Sequence, residues 1–208
     1  MKFYKVCILS VLLSAAPSTF AAKRSSLADH KLKSNLLSQF SKTSHTKDDV
    51  ASLQKYVISL KGKSVPALIE VMKNGKYPEK NRWVATFLLG RVMGVKSAPF
   101  ISKFTKHPNW IMRMASLKTL LSLRQKKYAS TYSALLQDKS FIVRNQALDN
   151  IKHLNLKSQA SFVWQMLYDK KNYYTPTRKG KSLTKKRTNL IKKAIKTVGD
   201  LKFLKAEK

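Results

Sequence analysis

A 31-residue period constrains this chain more than any other feature. In LLQDKSFIVRNQALDNIKHL (residues 135–154), Val143, Ala147, Leu148, Ile151 and Leu154 follow steps of three and four and so share one helical face. Moving back 31 residues gives Met112, Ser116, Leu117, Leu120 and Leu123; another 31 gives Asn81, Ala85, Thr86, Leu89 and Val92. One arginine keeps its slot throughout, as Arg82, Arg113 and Arg144. A fourth copy, Leu190, Ala194, Ile195, Val198 and Leu201, arrives at an offset of 47, one period plus an insertion of 16. The segment before each copy repeats as well. Leu68, Val71 and Met72 match Ile101, Phe104 and Thr105, then Tyr132, Leu135 and Leu136, then Val163, Met166 and Leu167.

Each unit therefore reads as two helices and a short turn. Pro66 and Pro99 stand near the starts of first helices, where a missing N–H costs little. Gly90 and Gly94 are expected to end one second helix, and Gly199 to interrupt or end the last. The small residues Ala85, Ser116, Ala147 and Ala194 allow close approach within a unit. A single unit cannot bury its own face, so stability has to come from stacking. Two further helices precede the array, one over 27–40 and one over 47–61 with Thr46 as N-cap. A polar cap of this kind suits the end of a repeat array.

The third unit, LLQDKSFIVRNQALDNI, resembles the HEAT repeat through Asp138, Val143, Arg144, Ala147 and Leu148. The likeness covers roughly 64–201 and is looser elsewhere: His107 stands where Asp138 does, and the fourth unit has Asp169 but Ile191 in the arginine slot. The resemblance implies an all-α fold, a right-handed α-solenoid of about four helical hairpins behind an N-terminal helical cap. It also implies that Arg82, Arg113 and Arg144, with Asp138 and Asp169, form a structural ladder between units. On this reading 23–63 is the cap, and 64–208 holds units at about 64–96, 97–127, 128–158 and 159–203.

The first 22 residues read differently. Lys2 and Lys5 precede an apolar run, Val6 to Ala16, and then Thr19-Phe20-Ala21, the pattern of a cleaved signal peptide. The run is shorter than the ~20 residues needed to span a bilayer. The expected location is a periplasm or the cell exterior. Cys7 is the one cysteine and lies in this run, so the remaining chain can form no disulfide, thiolate metal site or thiolate nucleophile. The chain carries 42 Lys+Arg against 10 Asp+Glu, a net charge of +32, or +30 without Lys2 and Lys5. Such a charge attracts polyanions, while 43% hydrophobic residues argue for a folded chain.

Catalytic patterns are sparse. None of His30, His45, His107 and His153 has a ligand partner at helical metal-binding spacing. There is no glycine-rich phosphate loop, no G-x-S-x-G and no glutamate pair. No enzyme activity, cofactor or metal is expected. The insertion stands out instead. From Lys170 to Lys193 there are ten basic residues and no acidic ones, interleaved with aromatics. Lys170, Lys171, Tyr173, Tyr174, Arg178, Lys179, Lys181, Lys185, Lys186 and Arg187 are the expected binding residues, on a loop marked by Pro176 and Gly180 at about 170–187. Basic residues among aromatics suit single-stranded nucleic acid, or lipid and glycan at an anionic surface. Trp83 and Trp110 sit near the starts of second helices and are expected to fill the seams.

The expected function is an exported, non-enzymatic scaffold. It would bind an acidic partner (an envelope protein, wall polymer or anionic membrane surface) through its concave face and basic loop. The alternative is nucleic-acid binding by gripping the phosphate backbone, since the HEAT-like proteins that the chain resembles include basic DNA glycosylases that do so. Export argues against it. A weaker family analogy is help with tetrapyrrole chromophores, which no residue here supports.

Overall fold

The computed structural model describes residues 18–43, 46–175, 185–186 and 188–202. The apolar run Val6–Ala16 behind the signal-peptide reading lies outside them. The described chain is helical apart from one two-residue strand pair.

Two helices lead. α1 (Ser18–Ser41) starts ahead of the expected Leu27, and α2 (Lys47–Ser59) opens on a reciprocal capping box. Thr46 Oγ1 accepts the Asp49 N–H at 3.1 Å, and Asp49 Oδ2 accepts the Thr46 N–H at 2.8 Å. Four pairs follow: α3 (Val65–Lys73) with α4 (Glu79–Met93), α5 (Ala98–Lys103) with α6 (Trp110–Ser122), α7 (Ala129–Leu135) with α8 (Phe141–His153), and α9 (Ala160–Gln165) with α10 (Asn189–Asp200). First helices are short and enter through a 3₁₀ turn; Pro66 and Pro99 lie in the opening turns of α3 and α5.

Packing follows chain order. Each first helix lies on its own second helix, and the second helices touch in sequence: α4 on α6, α6 on α8, α8 on α10. α1 packs on α3 and α4, and α2 on α4. Buried Asn81 fastens this cap to the first pair. Its Nδ2 donates to Phe40 O at 2.7 Å and Lys42 O at 2.8 Å, at the end of α1. An asparagine thus replaces the Met112 and Val143 of later units because its neighbour is a helix end with free carbonyls.

The period is written in burial. Leu68, Ile101, Tyr132 and Val163 are fully buried, as are Ala85, Ser116, Ala147 and Ala194. Leu89, Leu120, Ile151 and Val198 are buried too. One member breaks rank. Ile195 is 56% exposed where Leu148 is 0%. Leu148 lies in the core, whereas α10 is the last helix described, so no following second helix covers Ile195.

The turns repeat as well. Arg124, Asn155 and Lys202 each have φ of 52° at the same register. The first two close Schellman motifs: Gln125 N–H donates to Leu120 O and Leu156 N–H to Ile151 O, both at 3.0 Å. Gly94, at φ 57°, ends α4 as expected. Gly90 does not end it but lies buried inside α4. A Cβ there would stand 2.5 Å from Thr119 Cγ2, so glycine is needed for the close approach of α4 and α6.

The insertion leaves α9 through a 3₁₀ turn, Lys170–Asn172. The strands β1 (Tyr174–Thr175) and β2 (Lys185–Lys186) then pair antiparallel, Tyr174 opposite Lys186. This closes the segment at its base.

Candidate functional site

One polar slot recurs after every first helix. Asn74, His107, Asp138 and Asp169 each accept the N–H two residues on. Asn74 Oδ1 takes Lys76 at 2.9 Å and His107 Nδ1 takes Asn109 at 3.0 Å; Asp138 Oδ1 takes Ser140 at 2.7 Å and Asp169 Oδ1 takes Lys171 at 3.0 Å. The side chain imitates a backbone turn and starts the descent into the second helix.

The arginines bridge these slots. Each donates back into its own unit's turn and forward to the next. Arg82 donates from Nη2 to Met72 O at 2.9 Å and lies 3.2 Å from His107 Nε2. Arg113 Nη1 donates to His107 O at 2.8 Å and Pro108 O at 2.7 Å. Its Nε and Nη2 grip Asp138 Oδ2 and Oδ1 at 2.7 and 2.8 Å. This fork-on-fork pair is the strongest rung. Arg144 Nη1 donates to Asp138 O at 2.8 Å, but its forward partners differ from expectation. Nε donates to Asn172 Oδ1 at 2.8 Å and Nη2 to Lys171 O at 2.9 Å. Asp169 makes no hydrogen bond to Arg144. The insertion starts at this point, and its 3₁₀ turn slides Asn172 under the guanidinium. Asp169 caps that turn, with Lys171 Nζ at 2.9 Å. Burial pushes the Asp169 carboxyl up, but its hydrogen bonds from Lys171 and the two nearby cations outweigh this and hold it below the usual carboxylate range. Burial lowers the Arg144 guanidinium, with the Asp169 and Asp138 charges opposing from a distance. All three arginines are at most 5% exposed. They connect one unit to the next.

The basic insertion is divided by the structure. Lys170 is exposed. Lys171 Nζ reaches Gln137 Oε1 at 2.6 Å as well as Asp169, and Tyr173 OH donates to Leu167 O at 2.6 Å. Lys171 and Tyr173 thus serve the frame and anchor the segment. For Tyr174, Lys185 and Lys186 the structure describes the backbone alone. Arg178, Lys179, Lys181 and Arg187 lie outside the described residues.

The tryptophans correct another expectation. Trp110 is 38% exposed, and Trp83 is only half-buried. Trp83 instead floors a cleft of about 610 Å³ with Val84 and Phe87 of α4 and Leu121 of α6, walled by Gln54 of α2. Lys80 and Lys118 stand on its rim, with Lys118 Nζ 5.4 Å from the Trp83 ring centre. The sequence held a signal for it: Val84 and Phe87 lie on α4 outside the core stripe of Ala85, Leu89 and Val92. An apolar excess beyond one stripe marks a second buried or binding face.

No known protein-family model matches this chain, and no curated protein is similar to it.

Proposed function

We propose that the chain is a short, exported α-solenoid of HEAT-like hairpins that serves as a scaffold and binds an acidic partner by charge. The superhelical reading is supported by the chain-order packing of second helices and by the rungs that recur from unit to unit. Export is supported by the sequence of residues 1–22.

The observation that carries the binding reading is where the carboxylates are. Asp138 and Asp169 hold the rungs and turns, and Asp149 holds Lys193 at 2.6 Å. Asp200 faces Lys152, Glu70 faces Lys33, and Asp49 caps α2. These carboxylates each have a structural partner, which leaves the exposed cations in excess. With 42 Lys+Arg in the chain, most cations are left without an internal counter-charge. An external anion stabilises such a surface.

The acidic partner is proposed to be an envelope protein, wall polymer or anionic membrane surface, met by the second-helix face and the basic segment 170–187. The test is twofold. Mass spectrometry of the chain recovered from its host should give a start at residue 22 or 23. Titration with an acidic polysaccharide, anionic vesicles and single-stranded DNA should give affinities that fall steeply with salt. An intact N-terminus together with a clear preference for DNA would replace this reading with the nucleic-acid one. Weak, salt-independent binding to all three would remove the charge argument.

A further inference from the structure

We infer that the cleft between α2, α4 and α6 is a docking groove for an acidic, amphipathic polypeptide segment. The inference rests on the acidic-partner reading and names where and how that partner is held.

Its floor is almost wholly apolar, made by Trp83, Val84, Phe87 and Leu121. Half-buried aromatics on a rigid helical frame are the side chains that anchor partners most strongly. The cations lie around this floor. Lys80 is at the start of α4, Lys118 is on α6, and Arg91 lies one turn beyond Phe87 with its guanidinium 6.0 Å from that ring. Lys80 to Arg91 spans about 16 Å of helix. Among the described residues, Lys80, Arg91 and Lys118 form no ion pair. The same face one unit on is different. Asp149 stands at the period-equivalent of Lys118 and pairs with Lys193, while Lys152 pairs with Asp200. The equivalent position is thus acidic and paired on α8, an exposed lysine again on α10 (Lys196), and positive beside the apolar floor at α6.

This charge pattern selects the occupant. A single lipid anion would need one cation near one headgroup. Three cations spread along about 16 Å beside an apolar strip match a helix with anchors at i, i+3, i+4 and i+7 and carboxylates on both flanks. When such a segment docks, carboxylates meet Lys80 and Lys118, and its apolar side chains replace water over Trp83.

The test uses the full chain and synthetic amphipathic helices followed by tryptophan fluorescence and calorimetry. One peptide carries Leu and Phe on one face and Glu on the flanks. A second has Lys in place of Glu, and a third keeps Glu but has Ser in place of Leu and Phe. The first should bind at least about tenfold more tightly than either of the others. The Lys80→Glu/Lys118→Glu variant should lose about tenfold or more and shift its preference toward the Lys peptide. Lys126→Glu/Lys127→Glu carries the same net charge change on exposed residues away from the cleft and should bind as the parent does. Equal loss in both variants, equal binding of the Ser peptide, or displacement of the first peptide by palmitate at equal concentration would overturn the groove. If acidic ligands still bind but only substitutions in the 170–187 segment weaken them, the groove fails and the acidic-partner reading stands. If no acidic ligand binds, both fail.

Discussion

His107 shows what one residue does when it occupies a slot that elsewhere holds a carboxylate. Asp138 answers Arg113 with a bidentate charge pair; His107 answers Arg82 with one ring nitrogen and takes the Asn109 N–H on the other. A neutral imidazole has one acceptor nitrogen, which takes the Asn109 N–H; a second proton there would break that bond and set a positive charge against Arg82. Burial, and then the Arg82 charge, lower the His107 pKa below its usual 6.5. Below pH 6.5 the unfolded chain therefore binds a proton that the folded chain resists. The stability contributed by this residue is present above 6.5 and is lost as pH falls toward the folded-state value. Equilibrium unfolding at pH 7 and pH 5.5 should show a decline of no more than about 1.4 kcal/mol per pH unit from this group. His107→Asp should abolish that part of the slope. An unchanged slope would mean the imidazole is not held neutral. The Arg113–Asp138 pair was legible in the sequence because the spacing is regular there. The Asn172 rung was not, because the insertion displaces the register by three residues at that point.

At the level of elements, the recurrent stripe predicted every second helix, since apolar spacing survives changes of individual residue. Helix ends were less legible. Arg124 and Asn155 adopt the left-handed conformation that usually advertises itself as glycine; asparagine is a weaker signal for it, and nothing in the identity of Arg124 announced a Schellman cap. Gly90 misled in the other direction: its role is contact, not termination. Gly90→Ala should therefore destabilise the protein by about 1–3 kcal/mol despite the better helix propensity of alanine. Thr119→Ser removes the opposing Cγ2 and should recover most of that loss when combined with it. Denaturant midpoints of the two single variants and the double variant check this. Additive losses would show that the two side chains do not meet.

Across the whole molecule, two populations of cation have different work. Buried arginines join one unit to the next; exposed lysines face outward with few internal partners. The fold was legible because repetition multiplies a weak local signal four times. The cleft around Trp83 was legible only in part: Val84 and Phe87 marked a second apolar face, but its walls come from α2, α4 and α6, and whether an aromatic is buried or half-buried depends on the distance between helices. The most direct measurement compares Arg144→Ala with Lys185→Ala/Lys186→Ala/Arg187→Ala, each by denaturant unfolding and by salt-dependent binding to an acidic polysaccharide. Arg144→Ala leaves Asn172 Oδ1 and the carbonyls of Asp138, Lys139 and Lys171 without this donor, and should cost about 3 kcal/mol with binding unchanged. The triple variant should keep its stability while its affinity falls and its salt dependence flattens. If Arg144→Ala alters binding alone, or the triple variant alters stability alone, the division between structural arginines and binding lysines is wrong.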